Sequence, residues 1–140
     1  MTPDPIDILA RTVYGEDRGG GRAGMEAVAC VILNRVARKG WWGTDIVSVC
    51  QHPWQFSCWN ASDPNRAKIE AVTGADPMFT IALSVADNAV NGRLRDPTGG
   101  ADSYFAVGTP EPNWADGLDP TATIGGQAFY RTDPEGGRGT

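Results

Sequence analysis

Apolar residues recur at helical spacing through the first two thirds of the chain, and short polar breaks divide them into segments. Ile6, Leu9, Ala10 and Val13 form one stripe, opened by Asp4-Pro5 as cap and first helical residue. This helix reaches about Tyr14–Glu16 and stops at the glycines Gly19 to Gly21. A second runs from about Arg22 to Arg38, with Met25, Val28, Ala29, Ile32, Leu33 and Val36 on one face and Gly40 ending it. Thr44 is placed to cap a short helix over "DIVSVC". Asp63-Pro64 and Asp76-Pro77 repeat the cap-then-proline order ahead of "NRAKIEAV" and "MFTIALSVADNAVNG", the latter closed by Gly92.

After Arg95 the pattern changes. "DPTGGADSYF" and "DPTATIGGQAFY" share the order Asp-Pro-Thr, Gly-Gly, then aromatics, which reads as two Asx-Pro turns, each followed by a short strand. Two such copies cannot make a solenoid. Irregular loops with a small β-hairpin are expected there, and "TDPEGGRGT" reads as a flexible tail over about 132–140. The fold class is therefore mainly α (α+β), in one domain over 1–140. No strand–helix alternation supports a parallel sheet, and no glycine motif follows a strand to hold a nucleotide.

Length agrees with this, since 140 residues suit one core and are few for two. Composition is that of an ordinary globular chain, 41% hydrophobic and 21% charged. No apolar run approaches the roughly 18 to 20 residues that a membrane span needs. The opening "MTPDPIDILA" lacks a basic stretch followed by an apolar one, so no secretory signal is read and synthesis in the cytoplasm is expected. Net charge is −5 and Lys and Arg do not cluster beyond "RVARK", which argues against nucleic acid as a partner. Nothing points to an oligomer, and a monomer is expected.

Candidate chemistry narrows quickly. The single histidine, His52, stands beside Pro53, and no G-x-S-x-G elbow is present, so a nucleophilic triad has little support. Cys50, His52 and Cys58 do not make a closed zinc set, so neither a metal nor another cofactor is expected. Pairing of Cys50 with Cys58 is geometrically feasible, though reduced thiols are favoured; Cys30, inside "AVACVIL", reads as a small buried hydrophobe. Carboxylates remain. Glu16 ends an apolar helix face at a junction left uncrowded by glycine, where desolvation and the helix C-terminus both favour a protonated acid. On spacing alone, a solvated residue at a helix end is the stronger reading. The stretch "PWQFSCWN" interleaves aromatics with amides, which suits sugar rings but equally a loop that covers a core. Trp41-Trp42 carries the same choice, with packing favoured.

Four segments in order, "LARTVYGEDRGGGRAGMEAVACVILNRV", "QFSCW", "DPTGGADSYF" and "TATIGGQAFYR", resemble the cell wall hydrolase family of spore-cortex-lytic enzymes (SleB-type). The resemblance covers about Ile6 to Arg131. It implies a compact lysozyme-like fold, shared with lytic transglycosylases, that cuts the glycan strands of peptidoglycan. The family's catalytic acid corresponds to Glu16, which turns the balance toward a catalytic role. Gln55, Ser57 and Trp59 fall in the block that lines the family's cleft, and Tyr104 in its "DPT" block, as substrate-positioning residues. Two positions depart from the family. Gly20 stands where members commonly carry a second glutamate, and Gln127 where many carry a histidine.

The reaction that this resemblance implies is cleavage between N-acetylmuramic acid and N-acetylglucosamine, with Glu16 protonating the glycosidic oxygen. A classical glycosidase needs a second carboxylate. Asp17 is expected to point elsewhere, and Glu26, Asp63 and Asp102 have no motif behind them. A lytic transglycosylase works with one carboxylate as acid and then base, and that route is favoured over a hydrolytic muramidase. The rivals are a wall amidase or peptidase and a non-catalytic glycan-binding module. A phage lysin released through a membrane pore is one setting for such a chain, and an exported bacterial remodelling enzyme is another.

Overall fold

The structure, a computed structural model, describes residues 4–38, 42–53 and 55–132. Five α-helices lie in it: α1 (Pro5–Asp17), α2 (Gly21–Arg38), α3 (Ile46–Cys50), α4 (Asn65–Ala71) and α5 (Pro77–Val90). Three strands follow, β1 (Ser103–Ala106), β2 (Ala122–Ile124) and β3 (Gln127–Tyr130). The chain is thus mostly helical with a small antiparallel sheet.

The cap-and-proline reading of the helix starts holds for α1 and α5, whereas at α4 Pro64 takes the cap position and the helix begins at Asn65. Asp4 accepts the Ile6 N–H at 3.0 Å, and Asp76 accepts the Met78 N–H at 2.9 Å. Each satisfies one of the amides that a helix start leaves without an intrahelical acceptor. Asp63 accepts the Asn65 N–H at 2.8 Å ahead of α4. The short helix is capped one residue later than expected. Asp45, not Thr44, accepts from Ser48 N–H at 2.8 Å, while the Ser48 hydroxyl accepts from Asp45 N–H at 3.1 Å, closing a reciprocal capping box. The glycines after α1 form a 3-10 turn, Arg18–Gly20, and α2 starts directly at Gly21. Gly40, Trp41, Trp54 and the tail from 133 lie outside the described residues.

Helix α1 is the hub. It packs on α5, α2, α3 and α4, and Leu9, Ala10 and Val13 are wholly buried within the main core. Leu9 and Val13 each gain roughly 1.5–3 kcal/mol on burial. Met25, Val28, Ala29 and Ile32 of α2 complete that core with Phe79, Ala82 and Val85 of α5. Polar ties lock the helices in register. Tyr14 donates its hydroxyl to Asp76 at 2.6 Å, and Arg11 donates to the carbonyls of Ile69 and Val72 at 2.6 and 3.0 Å, holding the end of α4. Trp42 is 2% exposed and donates its indole N–H to the Arg35 carbonyl, so it packs as expected.

The sheet has the order β1-β3-β2, larger than the hairpin expected. β2 and β3 do form that hairpin through Gly125-Gly126, whose φ of 56° and 84° match a two-residue turn. β1 then pairs with β3 from the other side, with Tyr104 opposite Phe129. Residues 107–126, which include β2, separate the paired ends Ala106 and Gln127, so no local signal announces this pairing. Tyr104, Phe129 and Ala101 pack with Ala27 and Val31 of α2, which seats the sheet against the helices.

Candidate active site

Glu16 stands in the last turn of α1, half-buried. The residue before it explains the "YGE" sequence. A Cβ at Gly15 would stand 2.9 Å from Cys58 Cβ, Cys58 Sγ and Ile69 Cγ2, so only glycine lets α1 approach the 3-10 turn Ser57–Trp59 and α4 this closely. That close approach brings the buried Cys58 thiol beside Glu16, whose charge adds to burial in holding the thiol well above its ordinary value.

Tyr104 arrives from β1. Its hydroxyl donates to Glu16 Oε1 at 2.8 Å, and its ring packs on Phe129 with centroids 5.5 Å apart. Burial and then the Glu16 charge raise the Tyr104 phenol well above its ordinary value of 10, so it remains a proton donor to the carboxylate. The phenol proton is therefore directed at Glu16, and the residue, which the family resemblance implies positions substrate, also holds the carboxylate.

Arg35 lies behind this pair. It is only 7% exposed, donates from Nε to the Asp102 carbonyl at 2.7 Å, and stacks its guanidinium over Trp42 and Phe56 at 5.3 and 5.0 Å. One terminal nitrogen is buried with no hydrogen-bond partner among the described residues. Burial lowers its pKa, opposed by the neighbouring Tyr104, Asp102 and Glu16. A buried cation without a paired carboxylate is costly, and the negative charge of Glu16 is among the groups that offset it.

In front of Glu16 opens a cleft of about 410 Å³, walled by Gly15 to Gly19 and Asn65. Arg18 is pinned at its edge, donating to the Tyr14 carbonyl at 3.0 Å and Asn65 Oδ1 at 2.9 Å while lying over the Tyr14 ring. A second recess of about 330 Å³ is lined by Trp59, Asn60 and Ala61 with Gln51 to Pro53. Trp59 has one face there, but its indole N–H donates to Thr12 Oγ1 at 2.9 Å and Arg66 lies over its ring. Gln55 is half-buried, held by a backbone bond to the His52 carbonyl at 3.2 Å, and Ser57 is exposed at the start of its turn. The structure therefore joins Glu16 to Tyr104 and leaves Gln55, Ser57 and Trp59 off the walls of the Glu16 cleft.

The other acidic residues near this site in sequence or fold sit in defined places. Asp102 is wholly buried, paired with Arg38 at 3.0 Å and accepting from the Thr132 amide and hydroxyl. Glu26 is 4.0 Å from Arg22, one turn away. Asp17 turns its carboxyl inward, as expected, against Gly20 and Gly24. Gln127 is half-buried, and its Oε1 has no hydrogen-bond partner among the described residues. The three cysteines are free and buried, with Cys30 and Cys50 pushed up to about 12 by desolvation, which leaves them inert as nucleophiles.

Arg35, the place of Cys58 beside Glu16 and the role of Gly15 emerge only in the folded chain. A signal existed for Arg35: it follows Val28 by seven residues and Ile32 by three, which places a charge on the apolar stripe of its helix. Gly15, a glycine inside a helical pattern, is a comparable sign of close approach.

Comparison with known proteins agrees with this architecture. Residues 19–130 match the model of the cell wall hydrolase family. The chain is 36% identical over 109 residues to a spore cortex-lytic enzyme of Bacillus cereus, covering 78% of this chain and 37% of that one. It is 34% identical to a spore cortex-lytic enzyme of Halalkalibacterium halodurans over 78% of this chain and 29% of the other. The chain thus spans about a third of the length of these relatives. Among solved structures it superposes on the catalytic domain of the germination-specific lytic transglycosylase SleB from Bacillus anthracis, with a TM-score of 0.73 and 29% identity, covering 94% of this chain and 97% of that one. The Bacillus cereus SleB catalytic domain gives a TM-score of 0.70 and 30% identity, covering 91% and 89%. With most of its length matched in sequence and in fold, the chain belongs to the cell wall hydrolase family.

Proposed function

We propose that the chain is a peptidoglycan-cleaving enzyme that breaks the glycan strand between N-acetylmuramic acid and N-acetylglucosamine, with Glu16 as general acid and then base. The observation that carries this is the Tyr104–Glu16 hydrogen bond of 2.8 Å, which holds a carboxylate at the wall of an open cleft. Positioned acid catalysis contributes roughly 10²–10⁴-fold. The similarity to the SleB catalytic domains supports the substrate class.

We favour the lytic transglycosylase route. A hydrolase needs a second carboxylate as nucleophile or base. Asp102 is wholly buried in an ion pair, Asp17 points inward, Glu26 faces Arg22 and Asp63 accepts the Asn65 N–H. In a transglycosylase, the ionised Glu16 takes the proton of the muramic acid 6-hydroxyl, and that oxygen closes onto the anomeric carbon. A tethered nucleophile brings a large effective molarity, so no positioned water is required.

Mass spectrometry of digested peptidoglycan tests this. The expected products carry 1,6-anhydromuramic ends, lighter by one water than reducing ends, and Glu16→Gln leaves a folded protein near background. Reducing ends, together with a folded but inactive Asp17→Asn, Glu26→Gln or Asp102→Asn variant, would place the enzyme with hydrolytic muramidases. Freed amines would indicate an amidase, and binding without loss of turbidity a glycan-binding module.

A further inference from the structure

Asp17 follows the catalytic residue, yet its carboxyl is withdrawn from solvent. The residue is 8% exposed, and Oδ2 is buried with no hydrogen-bond partner among the described residues. Two glycines make room for it. A Cβ at Gly20 would stand 2.7 and 2.8 Å from the two Asp17 oxygens, and one at Gly24 would overlap Oδ2 more severely. The carboxyl therefore fills the space that side chains at 20 and 24 would occupy. It plugs the join between α1, the turn Arg18–Gly20 and the first turn of α2. On the far side of that join rests the β2–β3 turn, where a Cβ at Gly125 would lie 3.8–3.9 Å from Gly20 and Gly24.

The charges around Asp17 can be named element by element. On α1 its neighbour is Glu16, whose charge disfavours a second negative charge. From the turn come the Gly20 amide, directed at the carboxyl, and Arg18, whose guanidinium is instead engaged with Tyr14 and Asn65. The facing residue of α2 is Gly24, while Arg22 and Glu26 lie 4.0 Å from each other. The β2–β3 turn offers glycine alone at its contact. One amide donor thus stands against burial and a like charge.

We propose that Asp17 is a positioning residue for Glu16, holding the α1–α2 junction closed as a buried carboxyl packed between Gly20 and Gly24. This rests on the assignment of Glu16 as the catalytic acid. Asp17 touches no reacting atom. It fixes the turn that immediately follows the catalytic carboxylate, and an ionised Asp17 would place an unpaired charge in that turn. The direction of its titration agrees: burial first, then Glu16, raise Asp17 above its ordinary 3.8, against the Gly20 amide. Because folding raises the pKa, the stability held by the neutral form is complete below about 3.8 and is lost as pH rises through the folded value.

Asp17→Asn, an isostere of the neutral acid, and Asp17→Ala test the proposal on the intact chain. Thermal melting from pH 3 to 9 requires no substrate. The wild type should lose stability with rising pH relative to Asp17→Asn, whose curve should lack that step. On peptidoglycan, Asp17→Asn should match the wild-type kcat in acid and keep its activity to higher pH than the wild type. Asp17→Ala, which empties the join, should lower kcat several-fold with KM little changed. A folded Asp17→Asn that is inactive at every pH would overturn the proposal and make Asp17 a catalytic carboxylate. Identical melting–pH curves for wild type and Asp17→Asn would overturn it as well. A wild type that cleaves no peptidoglycan, with the melting difference present, would reject the proposed reaction and leave Asp17 as a structural acid.

Discussion

Tyr104 and Glu16, 88 residues apart in sequence, meet at 2.8 Å with the phenol donating to the carboxylate. One comes from a strand and the other from the end of a helix, so the bond joins the two halves of the fold at the residue proposed to do the chemistry. Tyr104→Phe removes the donor and little volume. The expected result is a lower kcat with KM almost unchanged, and a stability loss of about 1 kcal/mol for one buried hydrogen bond. A fall in KM affinity without change in kcat would show that the hydroxyl reads the sugar instead.

Gly15→Ala should be more damaging than its size suggests. The added methyl would meet Cys58 and Ile69 at 2.9 Å, where neither the buried thiol nor the buried isoleucine yields easily. Overpacking of this kind costs about 1–3 kcal/mol. Activity should fall further than stability, because the displaced segment carries Glu16. A melting temperature equal to wild type would show that α1 does not need this contact.

Gln55 and Trp59 separate within one block. Gln55→Ala should lower turnover with little change in melting temperature if its side chain reaches glycan. Trp59→Phe removes an indole N–H that Thr12 accepts, and should cost about 0.5–1.5 kcal/mol. Circular dichroism melts beside initial rates on purified peptidoglycan distinguish the two effects. Loss of stability in Gln55→Ala with unchanged specific activity would assign this block to the core.

Asp102→Asn should be chiefly a stability variant. The carboxylate is wholly buried and serves Arg38, Ser103 and Thr132 together. Removing one partner from a buried ion pair leaves the other uncompensated, a loss of about 3–5 kcal/mol. Specific activity of the folded fraction should stay substantial. Denaturant unfolding alongside active-fraction kinetics checks both statements.

Much of the helical architecture was legible from the chain alone, because its causes are local. An aspartate that caps, a proline at the first helical position and apolar residues at 3.6 spacing act within a few residues of each other, as Asp4-Pro5 and Asp76-Pro77 illustrate. The Gly125-Gly126 hairpin is equally local. Glu16 stood out at its junction, although residue spacing alone preferred a solvated side chain, and the ordered motifs changed that reading.

The rest depended on contacts between residues far apart in sequence. Tyr104 was placed among substrate-positioning residues, and only the register of β1 on β3, with the sheet seated on α2, turned its hydroxyl onto Glu16. Arg35 looked like one more charge on a helix until the fold enclosed it among Trp42, Phe56 and the Asp102 carbonyl. Asp17 acquired its character from two glycines that leave a carboxyl-sized space beside it. Helix caps and periodicity are short-range and can be read from neighbouring residues, whereas burial and charge environment belong to the packed molecule. The sequence therefore determined which segments are helices and where a catalytic acid could stand; the tertiary structure decided which groups surround that acid, because desolvation and proton donation come from side chains that meet only after folding.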